Sequence, residues 1–241
     1  MPTLIPTLLL TALLAAAAQA EQRQAYSSQS PEWLQAVGKL NVPGVQYEDG
    51  YGRHQKENCS GTLVATRSAH QADTVVTAWH CLEYYRDLSK PITFTLTQEA
   101  GTVLAREAYR VADGGGMYAD WAVLKLFEPV STREIPALEI HPQRADMQRT
   151  VTMAGYSGDA GLGADGAVLT YHASCNIIRQ ASTQSESDCS AYKGASGGAV
   201  IQVSTEGHAQ LSGVISQGNS ESVSIYVPVS GFRLPLSQHL N

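Results

Sequence analysis

The sequence predicts an all-β fold. Short runs rich in Val, Ile, Thr and aromatic residues recur along the chain, and some place an apolar side chain at every second position. Glycine-rich stretches separate these runs, and a helical period is weak everywhere except near the C-terminus. Many short strands parted by turns fit a sandwich or a barrel.

The elements are taken in chain order. Residues 1–20 carry no charged side chain and are mostly Leu and Ala. The apolar run from Leu8 to Leu14 is too short to span a bilayer comfortably, and it leads into Ala18-Gln19-Ala20, a small-x-small cleavage pattern. We read 1–20 as a secretory signal peptide cut before Glu21, which makes the mature chain secreted or periplasmic, without a membrane span. Residues 21–45 are polar and then Pro-containing, and read as a leader or N-terminal arm on the surface. Strand candidates come next at Thr74 to Ala78, Ile92 to Thr97 and Trp121 to Leu126, then at Ala167 to Tyr171, Ala199 to Val203, Leu211 to Ile215 and Val223 to Val227. Gly114-Gly115-Gly116 and the stretch from Gly155 to Gly166 signal loops, and Pro129, Pro136 and Pro142 mark a link between two halves.

Composition narrows the function. The formal net charge is −6, so the surface would repel phosphate backbones, and nucleic acid is not an expected partner. A hydrophobic fraction of 43% with 16% charged residues is globular, not disordered. The four cysteines, Cys59, Cys81, Cys175 and Cys189, form an even set in an exported chain and point to two disulfides. Counting leaves all three pairings open. No Cys-x-x-Cys or His-x-x-x-His pair stands at zinc-site spacing, so neither a metal nor another cofactor is expected.

The chemistry-bearing segment is Lys193-Gly194-Ala195-Ser196-Gly197-Gly198. A hydroxyl needs a base to take its proton and donors to hold the oxyanion that forms. Glycines around Ser196 permit a sharp turn that points amide N–H groups into one concavity. The segment also satisfies G-x-S-x-G, but the α/β-hydrolase elbow needs an acid and then a His after the Ser, and a helix directly behind it. No Asp comes after Ser196, and the next residues read as a strand, so that order fails. The order His, Asp, Ser fits: His80 ends a β-rich run in Thr77-Ala78-Trp79-His80-Cys81, and Asp120 opens one in Asp120-Trp121-Ala122-Val123-Leu124.

These three segments resemble the base, acid and nucleophile segments of the trypsin/chymotrypsin family of serine proteases. Cys59-Ser60-Gly61-Thr62-Leu63, Ala154-Gly155-Tyr156-Ser157-Gly158 and Ser212-Gly213-Val214-Ile215-Ser216 resemble further family segments, and the likeness runs from about Gln46 to Leu240. The resemblance implies a peptidase domain at 46–241, built as two six-stranded antiparallel Greek-key barrels, about 46–135 and 149–230, with a C-terminal segment 231–241 and the active site between the barrels. It implies a secreted serine endopeptidase acting on polypeptides, with His80 as base, Asp120 as the acid that orients it and Ser196 as nucleophile. The Gly194 and Ser196 amides would form the oxyanion hole, and Ser190, Ser216, Gly218 and Ser224 would line the primary substrate pocket. It pairs Cys59 with Cys81, and leaves Cys175 to join Cys189. Three departures stand out. Ala195 replaces the family's usual Asp, which argues against activation by an internal N-terminus. Ser190 replaces a charged pocket floor, and Ile215 stands where glutamyl endopeptidases carry a His. The alternative reading is an inactive protease homologue serving as a binding module; such proteins generally lose part of the triad, and here all three members are present. Neither oligomeric state nor natural substrate is legible.

Overall fold

The computed structural model describes residues 22–98 and 101–240. The predicted signal peptide lies outside the described residues. The strands are β1 (Gln24–Ala25), β2 (Val37–Glu48), β3 (Tyr51–Val64), β4 (Gln71–Thr77), β5 (Ile92–Thr97), β6 (Val103–Asp113) and β7 (Ala122–Ser131), then β8 (Glu139–Ile140), β9 (Val151–Gly155), β10 (Thr170–Cys175), β11 (Ile177–Gln180), β12 (Ser185–Ser187), β13 (Ala199–Val203), β14 (Ala209–Gly218) and β15 (Ser224–Pro228). The one α-helix among the described residues, α1, is Arg233–Ser237.

β2, β3, β4, β7, β6 and β5 close in that order into an antiparallel barrel. Alternation explains the closure: along β5, Ile92, Phe94 and Leu96 point inward and are fully buried, while the threonines between them are partly exposed. The barrel begins at Val37, ahead of the boundary expected at residue 46. Leu40 and Val42 are core residues on β2, and that strand pairs with both β3 and β5, so residues 37–45 are barrel wall and not leader.

The second half is a nine-stranded, half-barrel sheet. Its path is β1-β10-β9-β13-β14-β15-β12-β11, with β8 lying parallel to β14. Short strands therefore extend the expected six-stranded set, and the path stays open. β1 comes from the N-terminal arm, which is not wholly a surface segment, because Arg23 is only 5% exposed. One apolar cluster spans the first barrel and the near side of the second sheet, and takes in Phe232 and Leu236 of the C-terminal segment. A smaller cluster, including Met153, Ala191, Ala195, Val200, Ile215 and Tyr226, backs the turn that carries Ser196. No helix among the described residues is long and apolar enough to cross a membrane.

Candidate active site

The candidate base and acid sit at the ends of neighbouring strands. β4 runs out into a 3-10 turn at Trp79–Leu82 that holds His80, and β7 starts just after Asp120. The antiparallel pairing of β4 with β7 sets Thr77 opposite Ala122, which brings the two residues together. Asp120 is fully buried, yet each of its oxygens has a donor. Oδ1 accepts the His80 backbone N–H at 2.9 Å. Oδ2 lies 2.8 Å from His80 Nδ1 and accepts the Ser216 hydroxyl at 2.5 Å. Burial pushes this carboxyl up, but the bond to the His80 ring, the charge that ring carries when protonated, the Ser216 hydroxyl and the His80 amide outweigh it. The group is held below the usual carboxylate range. The same contact assigns Nδ1 of His80 as donor and leaves Nε2 as the acceptor.

Cys81, next to His80, is bonded to Cys59 on β3, and Cys175 at the end of β10 is bonded to Cys189. Among the described residues, two groups gather metal-ligating atoms, Cys59 with His80 and Cys81, and His172 with Cys175 and Cys189. Each spends both its sulfurs in a disulfide, so neither offers a thiolate.

Ser196 lies in the tight turn from Tyr192 to Gly198. The turn is closed by Ala195 N–H to Tyr192 carbonyl, 3.0 Å, and Gly198 N–H to Ala195 carbonyl, 2.9 Å. Gly194 and Gly197 have φ of 95° and 81°, in the left-handed region. A Cβ at Gly197 would lie 2.1 Å from Thr77 Oγ1, so the turn can press against the strand leading to His80 only because that side chain is missing. The Gly194 and Ser196 amides donate no hydrogen bond among the described residues, which leaves both donors free for a ligand.

Ser60 joins this turn to the first barrel, and no sequence pattern singles it out as a site residue. Its N–H donates to the Ser196 carbonyl and its hydroxyl to the Gly194 carbonyl, both at 2.8 Å. The hydroxyl also accepts the Tyr156 N–H at 2.8 Å, and the Ser60 carbonyl accepts the Thr77 hydroxyl at 2.8 Å. Cys81 Sγ lies 3.8 Å from the Ser196 carbonyl, so the turn that carries Ser196 abuts the turn that carries His80. Among the described residues the Ser196 hydroxyl is not hydrogen-bonded to His80; that contact is commonly loose before substrate binds.

The expected pocket residues divide. The Ser224 hydroxyl donates to the Cys189 carbonyl at 2.7 Å, and the Ser190 hydroxyl to the Glu221 carbonyl, so the two serines brace the loops on either side. Gly218 passes close to Ala191: an added Cβ would be 2.5 Å from the Ala191 carbonyl. The Ser216 hydroxyl donates to Asp120. Asp188, near Ser190, is held by Asn176, whose backbone N–H and side-chain amide donate to its two oxygens at 2.6 and 2.8 Å.

Residues 59–208 match the family model described as a trypsin-like peptidase domain, a span longer than half the chain. Among solved structures, the fold is similar to a thermostable serine protease from an extremophilic microorganism, with TM-score 0.62 and 19% identity over 86% of this chain and 98% of that one. It is also similar to the protease Anisep from Arthrobacter nicotinovorans, with TM-score 0.60 and 17% identity over 86% of this chain and 93% of that one. No curated protein matches.

Proposed function

Because the chain belongs to the family of trypsin-like peptidase domains, we propose that it is a secreted serine endopeptidase that cleaves polypeptides through Ser196, His80 and Asp120. The observation that carries this reading is the buried Asp120 carboxylate, bonded to both the ring and the backbone of His80 and capped by Ser216. A carboxylate in a dry site with three directed donors fixes one tautomer of the ring and stabilises its cation.

The reaction runs in two halves. The Ser196 hydroxyl attacks the scissile carbonyl as its proton passes to His80 Nε2. The oxyanion sits against the Gly194 and Ser196 amides. His80 returns the proton to the leaving amine as the C–N bond breaks, which leaves an acyl ester on Ser196. Water then attacks the ester as His80 takes its proton, and His80 passes that proton to the Ser196 oxygen as the ester C–O bond breaks, which releases the acid and restores the serine. The two disulfides fit an oxidising compartment outside the cytosol.

The pocket reading is neutral. A pocket selecting Arg or Lys needs a buried carboxylate, since a desolvated cation requires an opposite charge. Ser190, Gly218 and Ser224 carry none, and Asp188 is engaged by Asn176. A peptide library should therefore show cleavage after neutral residues. Cleavage confined to Arg and Lys sites would overturn the neutral pocket and implicate Asp188.

A labelled fluorophosphonate should modify Ser196 in the wild-type chain and fail to modify Ser196→Ala. Peptide hydrolysis by that variant should drop by on the order of 10⁴ to 10⁶, with the fold kept. Retention of more than about a tenth of the rate would remove Ser196 as nucleophile. An unlabelled, folded wild type would favour the binding-module reading instead.

A further inference from the structure

We propose that Arg23, on the N-terminal arm, is a positioning residue that holds the nucleophile turn in its working shape. It would do so by clamping that turn to the loop after β9. The proposal rests on the reading of Ser196 as nucleophile.

β1 lies antiparallel to β10, with Gln24 opposite Tyr171 and Ala25 opposite Thr170. This docking carries Arg23 inward, and its side chain is only 3% exposed. A buried guanidinium is costly unless every face of it is used. Here Nη1 donates to Asp159 Oδ1 at 2.9 Å and Nη2 to Asp159 Oδ2 at 3.2 Å, a two-pronged pair. The cation's centre also lies 3.8 Å from the centroid of the Tyr192 ring. Asp159 belongs to the loop after β9 and Tyr192 opens the turn that carries Ser196, so one side chain touches both segments. The segments also meet directly, since Gly158 N–H donates to the Lys193 carbonyl at 2.6 Å, one residue before Gly194.

The need for an outside anchor arises from the turn itself. Ala195, beside the nucleophile, is buried and offers no charge, so no ion pair can form from that position. The Gly194 and Ser196 amides depend on the peptide planes around them, and Gly194, with φ of 95°, has no side chain to hold its own. Fixing Tyr192 and Lys193 on one side, with Ser60 on the other, restricts those planes. Arginine suits the task better than lysine because a flat fork can pair with a carboxylate along its edge while a ring covers its face.

The test compares wild type with Arg23→Ala, Arg23→Lys, Tyr192→Leu and Asp159→Asn. The readouts are the second-order rate of fluorophosphonate labelling, kcat and KM on a peptide amide, and the melting temperature. Arg23→Ala should be labelled and should turn over at least about tenfold more slowly, with KM changed less than kcat, while still folded at the assay temperature. Millimolar ethylguanidinium should restore part of the rate without raising the folded fraction, and Arg23→Lys should fall between alanine and wild type. Wild-type labelling by a folded Arg23→Ala variant would overturn the clamp. So would a loss of rate that only tracks its unfolded fraction. If Arg23→Ala does not fold, Tyr192→Leu and Asp159→Asn decide, since each removes one half of the contact, and unchanged rates in both would sink the proposal. A wild-type chain that takes no label at all would defeat the Ser196 reading first, and the clamp with it.

Discussion

Asp120 is a charge that burial should expel, and three donors keep it ionised. Its pKa lies below the usual carboxylate range, so the linkage has a definite sign. The stability it contributes is complete above the unfolded value of about 3.9 and is lost only as the pH falls through the lower folded value. In the proposed mechanism a protonated His80 ring cannot accept the Ser196 proton. Asp120→Asn keeps the shape but lets the ring take the wrong tautomer, and should lower kcat by on the order of 10⁴. At this scale the sequence is partly legible. His80, Asp120 and Ser196 stand in recognisable segments, whereas Ser60 and Arg23 act through partners far along the chain. Arg23 and Asp159 are 136 positions apart, and no local pattern records such a pairing.

Elements with one wet face and one dry face are the easiest to read. β5 begins and ends where its pattern predicts, because residues facing the core alternate with others; β13 does so too, although it is almost wholly buried, since its run is apolar but for Gln202. The β2–β3 hairpin is harder to see. The outer part of β3, from Tyr51 to Asn58, is largely exposed, and β2 contains Pro43, which cannot donate to a ladder. The signal that marks the hairpin is Asp49-Gly50, both residues at positive φ, a two-residue turn that matches strand twist. The β6 strand is hidden for a similar reason, since most of its side chains are at least partly exposed. β10 begins three residues later than its apolar run suggests, and it ends at Cys175, whose bond to Cys189 closes a 14-residue separation beside Ser190. Replacing both cysteines by alanine should cost roughly 3 kcal/mol of stability. It should also broaden cleavage specificity more than it lowers kcat for the best substrate. Denaturant titration and a cleavage profile would check both, and an unchanged profile would detach this bridge from the pocket.

Across the whole molecule, the chain's last segment returns to the first barrel. Phe232 is fully buried and stacks on Trp121, with ring centroids 5.3 Å apart, directly beside Asp120. The His239 carbonyl accepts from Thr74 at 2.6 Å and from Lys125 at 3.0 Å, and Lys125 also pairs with Asp73. Phe232→Ala should lower stability by about 3–5 kcal/mol. Tryptophan fluorescence and activity should be lost together in one denaturant transition, because the same ring serves the core and the neighbourhood of the acid. Separate transitions would show that the halves unfold independently. The C-terminal return also sets a schedule for a chain exported as proposed. Such a chain emerges from its N-terminus, so the packing beside Asp120 is unfinished until Phe232 and its neighbours have arrived. Under the proposed function, cleavage by such a chain would wait for that packing.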